Sequence, residues 1–454
     1  MVLTRFDCDH GISSLADTLG GPDVTHVFVH STRSLPYFDT LTTVLPGFHK
    51  YADRALVAAR PDDVVCVADP VEEAYLEFLG DLGIGPRPGN IVALSSEPGA
   101  DKDIPLPALA LRNERALERI ATLVSGGRSV VINPYITSPE EVRLASRLES
   151  VLGRPVTLLG GDPVAVEYAD SKPNMRAKAL QLGVPVAPGE IVELAPRQDG
   201  GSDPEPVREA IARYVRRTGR VVVRGAHGAS GSATHVIEDD STSAGEVYDA
   251  IRGHTHADVY LVEVMLDVAV SPNIQMYLDP EGAGVSCVGI SDQRLVATVS
   301  HAGNVYPSTA TTIPHMMRDA YTLSSWLRAS GCTGIVGFDF GEYVGGEDRL
   351  HFLIEVNPRI NAATYPRFLM EHLNRGQARD RRPGIEAFRL ANVKTNAWSF
   401  AEVARRYGHL FFRHDTGQGI VPFNMGCLKY GKFSAVIFGS SRDEVLRLYA
   451  EVTG

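Results

Sequence analysis

The chain has 454 residues, a formal net charge of −11 and 44% hydrophobic residues. At roughly 150 residues per domain, we expect about three domains. The negative charge disfavours nucleic acids and anionic membranes as main partners, because binding to them requires clustered Lys and Arg. We find no apolar run of the ~18 residues that cross a bilayer, and no export signal. The five cysteines are scattered without a CxxC pair. We therefore expect free thiols, no zinc site and a cytoplasmic protein.

The first ~165 residues alternate between short β-rich runs and helical stretches, which predicts a parallel sheet with helices on its faces. The predicted strands are 25–29, 64–68, 91–94, 129–132 and 156–159. Two of the predicted helices are 113–124 and 139–152. Ser138 precedes Pro139, which suits the N-cap and first position of the second of these helices.

The middle of the chain is richer in strands. A helix is predicted at 171–182, because Gly183 suits its C-terminal cap and Pro185 stops it. Strands are predicted at 220–224, 259–265, 274–278, 284–290 and 295–300, with Asp292 and Gln293 in a turn between the last two. A helix is predicted at 315–330, a linker at 375–384, and a final strand and helix at 433–438 and 441–452. We interpret the basic run 375–382 as part of that solvated linker.

Two predicted strands, 333–343 and 350–361, flank a glycine turn at 345–346. Side chains alternate between the two faces of a strand, and the turn lies midway between Asp339 and Glu355. A regular hairpin would therefore place these two acids opposite each other. Two facing carboxylates repel each other unless a cation lies between them.

Asn357 adds an uncharged oxygen on the same face as Glu355. An oxygen-only ligand set suits Mg²⁺ that is also bound by substrate phosphates. Arg359, two residues further on, could offset phosphate charge as it develops in a transition state. The alternative is a polar sheet face exposed to solvent, but it does not explain why Asn357 and Arg359 lie so close to the acids.

A glycine-rich segment at 220–237 begins and ends with β-rich runs. Between them lie Gly225, Gly228, Ser230, Gly231 and Ser232. Glycines let backbone N–H groups approach phosphate closely, and serines add hydroxyl donors. The segment is neither a Walker A loop nor a GxGxxG fingerprint. A flexible hairpin without a ligand is the alternative.

Four motifs occur in one order: SKPNMRAKALQLGVPVAPG, VVVRGAHGASGS, VYLVEVML, and GFDF followed by IEVNPRIN. Together they resemble the ATP-grasp superfamily over residues 169–372. The resemblance implies ATP as cosubstrate and Mg²⁺, with two ions expected. It also implies an α/β chain with an α+β ATP-grasp core of two lobes.

The resemblance assigns roles to individual residues. Lys172 and Arg224 would contact nucleotide phosphate, and Arg224 stands where the family usually has a lysine, so its geometry differs. Arg224 and Arg359 would serve catalysis. The loop residues expected at the phosphates are Gly228, Ser230 and Gly231. The residues expected at adenine are Glu263 and the backbone of Val264 and Leu266. Ser271 would contact ribose, with Asp267 and Asn273 as alternatives. The expected metal ligands are Asp339, Glu355 and Asn357.

The flanks extend the resemblance. INPYITSPEEVRLASRLE and LLGGDP look like a pre-ATP-grasp domain. SDQRLVATVSHAGNVYPS and GIVPFNMGCLKYGKFSAVIFGSS resemble the peptide ligases of pheganomycin biosynthesis. The implied domains are a pre-ATP-grasp domain at 1–168, an ATP-grasp domain at 169–375 with a lid lobe at 185–262, and a small α+β ligase-associated domain at 385–454.

The family chemistry implied is conversion of a carboxylate and ATP to an acyl phosphate, which an amine then attacks. The partners would be a small carboxylic acid donor and a peptide or amino-acid acceptor. In the pheganomycin-type group, a nonproteinogenic amino acid is joined to the amino end of a peptide in antibiotic biosynthesis. A homodimer is compatible with the resemblance. The alternatives are a ligase of free amino acids and a non-catalytic nucleotide-binding module. His301 could line the acceptor side, and His227 could contact substrate.

Overall fold

The computed structural model describes residues 12–19, 21–95, 104–194, 203–228, 233–237, 246, 259–282, 284–296, 300–379 and 382–454. The strands are β1 Val24–Val29, β2 Val64–Val67, β3 Ile91–Ala93, β4 Ser129–Pro134, β5 Val156–Leu158, β6 Gly189–Glu193, β7 Val221–Gly225, β8 Thr234–Ile237, β9 Val259–Val264, β10 Val268–Val270, β11 Pro272–Leu278, β12 Val285–Val296, β13 Ser300–Tyr306, β14 Gly334–Gly345, β15 Asp348–Asn357, β16 Ala387–Lys394, β17 Gly419–Phe423 and β18 Lys432–Gly439.

The helices are α1 Leu15–Thr18, α2 Phe38–Val44, α3 Glu73–Asp81, α4 Leu106–Arg112, α5 Glu114–Leu123, α6 Pro139–Leu152, α7 Pro163–Asp170, α8 Lys172–Gln181, α9 Glu205–Thr218, α10 Ile313–Ala329, α11 Thr364–Arg379, α12 Phe400–Tyr407 and α13 Arg442–Thr453. A long 3-10 helix, Phe48–Val57, follows α2. Among the residues described, no helix is both long and apolar enough to cross a membrane.

The N-terminal part forms the predicted parallel sheet, in the order β3-β2-β1-β4-β5. Its strands form where the β-rich runs predicted them. Ser138 caps α6 as predicted, and Glu141 completes a capping box by accepting from the Ser138 backbone N–H. Glu141 is fully buried and also accepts from Ser34, so the cap ties α6 to the loop after β1.

A second sheet, antiparallel, follows the order β10-β14-β11-β12-β13-β16-β18-β17, with β15 paired to β14. The three strands after residue 385 therefore share a sheet with strands from the segment predicted as the ATP-grasp core. The helix α10 packs on β11 and β12, and α13 packs on β16 and β18. The predicted domain boundaries stay predictions, but the C-terminal strands are hydrogen-bonded into this larger sheet.

A third sheet, β6-β9-β7-β8, forms a separate lobe with α9. The buried face of α9 presents Val207, Ala210, Ile211 and Val215, which pack on Val221, Val223, Tyr260 and Val262 from the sheet. The apolar positions on α9 recur at helical spacing, so one stripe of the helix covers the sheet. This lobe lies within the segment predicted as the lid.

Two predictions of local structure are wrong. The strands predicted at 284–290 and 295–300 are parts of one strand, β12, and of β13. Asp292 and Gln293 consequently lie inside β12 and not in a turn. The polar stretch remains extended because Asp292, though buried, accepts hydrogen bonds from Ser308, Thr309 and Arg442.

The predicted linker at 375–384 is also wrong in its first half, because α11 continues to Arg379. Gln377 in this last turn is buried and donates to the carbonyls of Pro383 at 2.9 Å and His414 at 2.8 Å. These bonds fold the following segment back onto the helix. Tertiary hydrogen bonds thus extend a helix that the basic, polar sequence alone did not indicate.

Candidate active site

A large cavity of about 750 Å³ opens between the third sheet, β6-β9-β7-β8, and the antiparallel sheet. The predicted site residues that line it are Lys172, Arg224, Glu263, Val264, Leu266, Ser271, Asp339 and Glu355. They come from segments spread over nearly 190 positions of the chain, and the fold brings them to one cavity. Ser230 and Gly231 lie outside the described residues.

The acidic hairpin pairs the two predicted acids, but it is not regular, because the register shifts between Asp339 and Phe340. Asp339 on β14 is the cross-strand partner of Glu355 on β15, and Gly337 is the partner of Asn357. The Asn357 side-chain amide donates to Asp339 Oδ2 at 3.0 Å and to Glu355 Oε1 at 3.4 Å. Asp339 and Asn357 are buried, so these groups form an enclosed polar cluster and not a solvated sheet face.

The pKa values of the two acids are shifted in opposite directions. Burial, together with the charge of Glu355, raises the pKa of Asp339 well above its usual range. Burial also acts to raise the pKa of Glu355, but Lys172 and Arg224 outweigh it and lower that pKa to about 2. Lys172 Nζ lies 3.2 Å from Glu355 Oε2. Glu355 is therefore held ionised by cations of the protein itself, while Asp339 needs a further positive charge to ionise.

The donor set suits Mg²⁺ better than a transition metal. Asp339 and Glu355 offer carboxylate oxygens, and Mg²⁺ is commonly bound through one or two carboxylates plus substrate phosphates. The Asn357 oxygen instead accepts from Arg359 while its amide nitrogen faces the acids, so its role as a metal ligand stays a prediction. Within the described residues, no cluster of three His, Cys, Asp or Glu side chains could hold a metal ion. The predicted oxygen ligands would therefore need further ligands, such as phosphate oxygens, to complete a magnesium site.

Lys172 lies at the first position of α8, and its Nζ also donates to the Gly228 carbonyl at 3.1 Å. Its backbone N–H donates to the Ala226 carbonyl at 3.0 Å. Gly228 has φ +151°, a conformation that side-chain-bearing residues rarely adopt. The helix start and the beginning of the glycine-rich loop are thus joined directly, as expected of two elements that hold the same ligand.

Glu263 is buried and is contacted by two guanidinium groups, those of Arg176 and Arg224. Arg224 Nη1 also donates to the Ile354 carbonyl at 2.7 Å, beside Glu355. That Arg224 contacts phosphate and that Glu263 contacts adenine stay predictions. Arg176 was missed, although its position four residues after Lys172 places both on one side of α8.

The expected adenine and ribose contacts are only partly available. The backbone N–H of Val264 donates to the Pro188 carbonyl at 2.7 Å, so this donor is already used. Ser271 is buried, and its hydroxyl donates to the Phe340 carbonyl at 3.2 Å. Asn273, one of the ribose alternatives, instead donates to Asp339 Oδ1. Asn273 therefore supports the acidic pair.

Arg359 is buried behind the acidic hairpin. Its Nη1 donates to Asn357 Oδ1, and its Nη2 donates to the Tyr37 hydroxyl at 3.3 Å. Asp170 Oδ1 lies 3.9 Å from Nη2. Tyr37 also stacks on His227, with ring centroids 6.1 Å apart. Arg359 is thus fixed by residues from three segments, and its catalytic role stays a prediction.

A row of side-chain amides, Asn273, Gln275 and Asn361, is hydrogen-bonded to the acidic pair through Asn273. Gln275 Nε2 donates to Asn273 and, at 3.1 Å, to Asn361 Oδ1. A Cβ at Gly337 would collide with the Asn361 side-chain amide and would lie 3.0 Å from Gln275 Nε2. Gly337 is therefore required where these amides cross β14.

A smaller chamber of about 190 Å³ lies on the other side of the acids. Asp339 and Glu355 line both spaces. His301 lines the small chamber and bonds to Asn304 at 2.9 Å, and its role on the acceptor side stays a prediction. Much of the chamber wall was missed by sequence reasoning. It comes from the N-terminal part and from the strands after residue 385, and no local motif marks it.

Known proteins support the fold. The pre ATP-grasp domain family matches residues 52–150. The solved ADP complex of PurK, an N5-carboxyaminoimidazole ribonucleotide synthetase, is 13% identical with a TM-score of 0.54 and covers 94% of this chain and 95% of its own. A biotin carboxylase complex from Campylobacter jejuni is 11% identical with a TM-score of 0.55, covering 94% and 90%.

The N5-carboxyaminoimidazole ribonucleotide synthetase from Thermus thermophilus is 15% identical, with a TM-score of 0.50, and covers 94% of this chain and 98% of its own. No curated protein matches by sequence. These likenesses extend over nearly the whole chain at identities that establish the fold alone. The chain therefore shares the fold of these proteins, and its residues 52–150 match the pre ATP-grasp domain family.

Proposed function

We propose that this protein is an ATP-dependent carboxylate–amine ligase that forms an amide bond through an acyl phosphate. The observation that carries the proposal is the position of Asp339 and Glu355 at the wall between two cavities. The large cavity is bordered by cationic side chains suited to a nucleotide triphosphate. The small chamber is suited in size to a small organic substrate. Phosphate and carboxylate would thus meet at the acids.

The first step requires two anions to approach each other. The carboxylate oxygen attacks the γ-phosphorus, ADP leaves, and the acyl group becomes bound to phosphate. Lys172 and Arg224 would bind phosphate oxygens from the large cavity, and Arg359 would act from the opposite side of the acids. Mg²⁺ held by Asp339, Glu355 and Asn357 would supply Lewis-acid polarisation of the phosphate oxygens.

In the second step the amine nitrogen bonds to the acyl carbon, inorganic phosphate leaves, and the nitrogen loses a proton. Water must be kept from the acyl phosphate meanwhile, because hydrolysis would waste it. The lobe built from β6 to β9 carries Arg224 and the start of the glycine-rich loop over the large cavity. Its closure would exclude water during the reaction.

The finer proposal is that a nonproteinogenic amino acid is joined to the amino end of a peptide in natural-product biosynthesis. It rests on the two flanking motifs at 291–308 and 419–441. Both motifs contribute to the small chamber, the first through Gln293, His301 and Asn304, the second through Asn424 and Ser434. The substrate resemblance and the substrate-sized space thus involve the same residues.

The test is a screen for ADP release with paired carboxylic acids and amines, with products read by mass spectrometry. A product of acid and peptide, with one ADP per bond, is expected. Products with free amino acids only would favour the rival ligase. Nucleotide binding without ADP release for any pair would favour a non-catalytic module.

A further inference from the structure

The small chamber contains an arginine that the proposed chemistry does not use. Arg54 lies on the 3-10 helix Phe48–Val57, lines the chamber and is 5% exposed. Its Nε donates to the Tyr51 carbonyl at 2.9 Å. Its buried Nη2 has no hydrogen-bond partner. In the part of the chain that the structure describes, no carboxylate lies within 4 Å of its guanidinium group.

Aromatic rings hold this guanidinium in place. Its central carbon lies 4.5 Å from the ring centroid of Tyr51, 5.2 Å from that of Tyr135 and 4.9 Å from that of Tyr365. Such contacts favour a cation, and the N–H groups of Arg54 Nη2 stay free for an acceptor. The neighbouring acid, Asp53, instead accepts from the Gly426 backbone N–H at 2.8 Å. A buried cation of this kind is costly without an anionic partner.

The two arginines of the chamber share one aromatic ring. The central guanidinium carbon of Arg359 lies 5.9 Å from the same Tyr135 centroid, and its Nε also has no partner. Asn361 Nδ2 and Asn424 Oδ1 are likewise buried without partners in the chamber wall. Asn424 has φ +58°, a strained conformation of the kind that clusters at functional sites. The free groups are thus three donors and one acceptor.

We propose that Arg54 is an anion subsite that binds a second substrate carboxylate, distinct from the carboxylate that is activated beside Arg359. The inference rests on the proposed ligase function and adds a substrate class to it. The second carboxylate belongs either to a dicarboxylic donor or to the free C-terminus of an amino-acid or peptide acceptor. Arg54 holds it by charge-assisted hydrogen bonds, and the activated carboxylate lies at the other end of the chamber.

The experiment compares acids with their amides on the full chain by titration calorimetry. One arm uses the straight-chain dicarboxylates from malonate to adipate against their half-amides. The other uses alanylalanine against its C-terminal amide. In at least one arm the free acid should bind at least tenfold more tightly than the amide. Preference in the first arm assigns the subsite to the donor, and in the second to the acceptor.

Variants decide whether Arg54 is responsible. Arg54→Gln should remove the preference, and Arg54→Lys should retain part of it, because the charge remains without the fork geometry. Lys50→Gln is the matched control, since Lys50 lies on the same 3-10 helix, pairs with Asp69 at 2.6 Å and does not line the chamber. Equal binding of acid and amide in the wild type overturns the proposal, as does a preference that survives Arg54→Gln.

A failure of the ligase proposal would look different. Titrations are run with and without a non-hydrolysable ATP analogue and Mg²⁺, and nucleotide binding is measured separately for each variant. If the wild type does not bind the nucleotide analogue, the ligase proposal fails, while the preference for the acid over the amide can still be measured. Unchanged nucleotide binding in Arg54→Gln also shows that the variant is folded.

Discussion

The two spaces that meet at Asp339 and Glu355 are built differently. In the large cavity two cations predicted to bind phosphate are already paired: Lys172 with Glu355, and Arg224 with Glu263. In the small chamber, Arg54 and Arg359 each keep a buried N–H without a partner. The large cavity resembles a site held ready by internal ion pairs, which a nucleotide would exchange. The small chamber resembles a site completed only by its ligand.

This difference indicates where each kind of change should act. Removing a paired group from the large cavity leaves its buried partner without an opposite charge, which strongly destabilises the folded protein. Removing Arg54, which has no carboxylate partner among the described residues, should cost the free protein less and mainly affect the bound state. The predictions below follow this contrast from the largest expected effect to the smallest.

Glu355→Gln should reduce acid- and amine-dependent ADP release by roughly 10³-fold or more, because it removes a metal ligand and the partner of Lys172. Steady-state ADP assays with a reactive substrate pair measure this. Asp348→Asn, on the exposed start of the same strand, is the control and should keep normal turnover. Normal turnover in Glu355→Gln would falsify the metal-site assignment.

Arg359→Lys should lower kcat by roughly 10²-fold, in the range found when one transition-state donor is lost. ATP affinity should change only a few-fold, because Arg359 lines the chamber and not the large cavity. The kcat and KM for ATP test this split. Arg349→Lys, half-exposed on β15, is the matched control. If kcat is unchanged and only ATP binding weakens, the contrast between the two spaces is broken.

Gly337→Ala should destabilise the protein by about 1–3 kcal/mol, as over-packing does, and displace Asn361 from the amide row. Urea unfolding measures the stability change. Gly284→Ala is the control, because a Cβ there would make only ordinary contacts, with Asp279. Wild-type stability and turnover in Gly337→Ala would show that the amide row can rearrange.

Asp53 tests the chamber side by its pH dependence. Burial raises the pKa of Asp53 from 3.8 to about 6, so the folded protein binds this proton more tightly than the unfolded chain. Its contribution to stability is therefore greatest below pH 4 and falls as pH rises towards 6, by about 1.4 kcal/mol per unit at most. Asp53→Asn should reduce this decrease of the unfolding free energy between pH 4 and pH 6.

Glu355 should show the opposite sign, because its folded-state pKa is lowered to about 2. Its stabilising contribution is present above pH 4.5 and is lost as pH falls towards 2. The slope of the unfolding free energy against pH should therefore be measured from pH 3 to pH 7 for Asp53→Asn and Glu355→Gln. It should differ from the wild-type slope in opposite directions for the two variants. Equal slopes for both variants would contradict the assigned environments.

Much of the fold was predictable from the sequence. Predicted strands such as 25–29 and 64–68 differ from β1 and β2 by a residue at one end, and Ser138 caps α6 as its pattern indicates. Strand alternation and the glycine turn predicted that Asp339 and Glu355 pair, but a register shift between Asp339 and Phe340, which the sequence did not indicate, is what aligns them. The strands and the cap depend on neighbours in sequence, which is why local patterns sufficed for them.

Elements held by distant partners were not predictable. Asp292 lies in a strand because Arg442 and the segment at 308–309 satisfy its carboxylate. The end of α11 depends on hydrogen bonds from Gln377 to later residues. Arg176 contacts Glu263 across 87 positions. A buried charge is tolerated in a conformation only when an oppositely charged or hydrogen-bonding partner lies beside it. Local sequence patterns do not identify a partner that is distant in the chain.

The sequence by itself determined the order of the elements and the acidic hairpin, since both arise from local periodicity and turns. Only the tertiary structure decided that the hairpin separates two spaces, and that Arg54 from the N-terminal part faces the second of them. The physical reason is that a cavity is the shape left between packed elements. Its walls come from segments with no shared pattern, so only their packing defines what can bind.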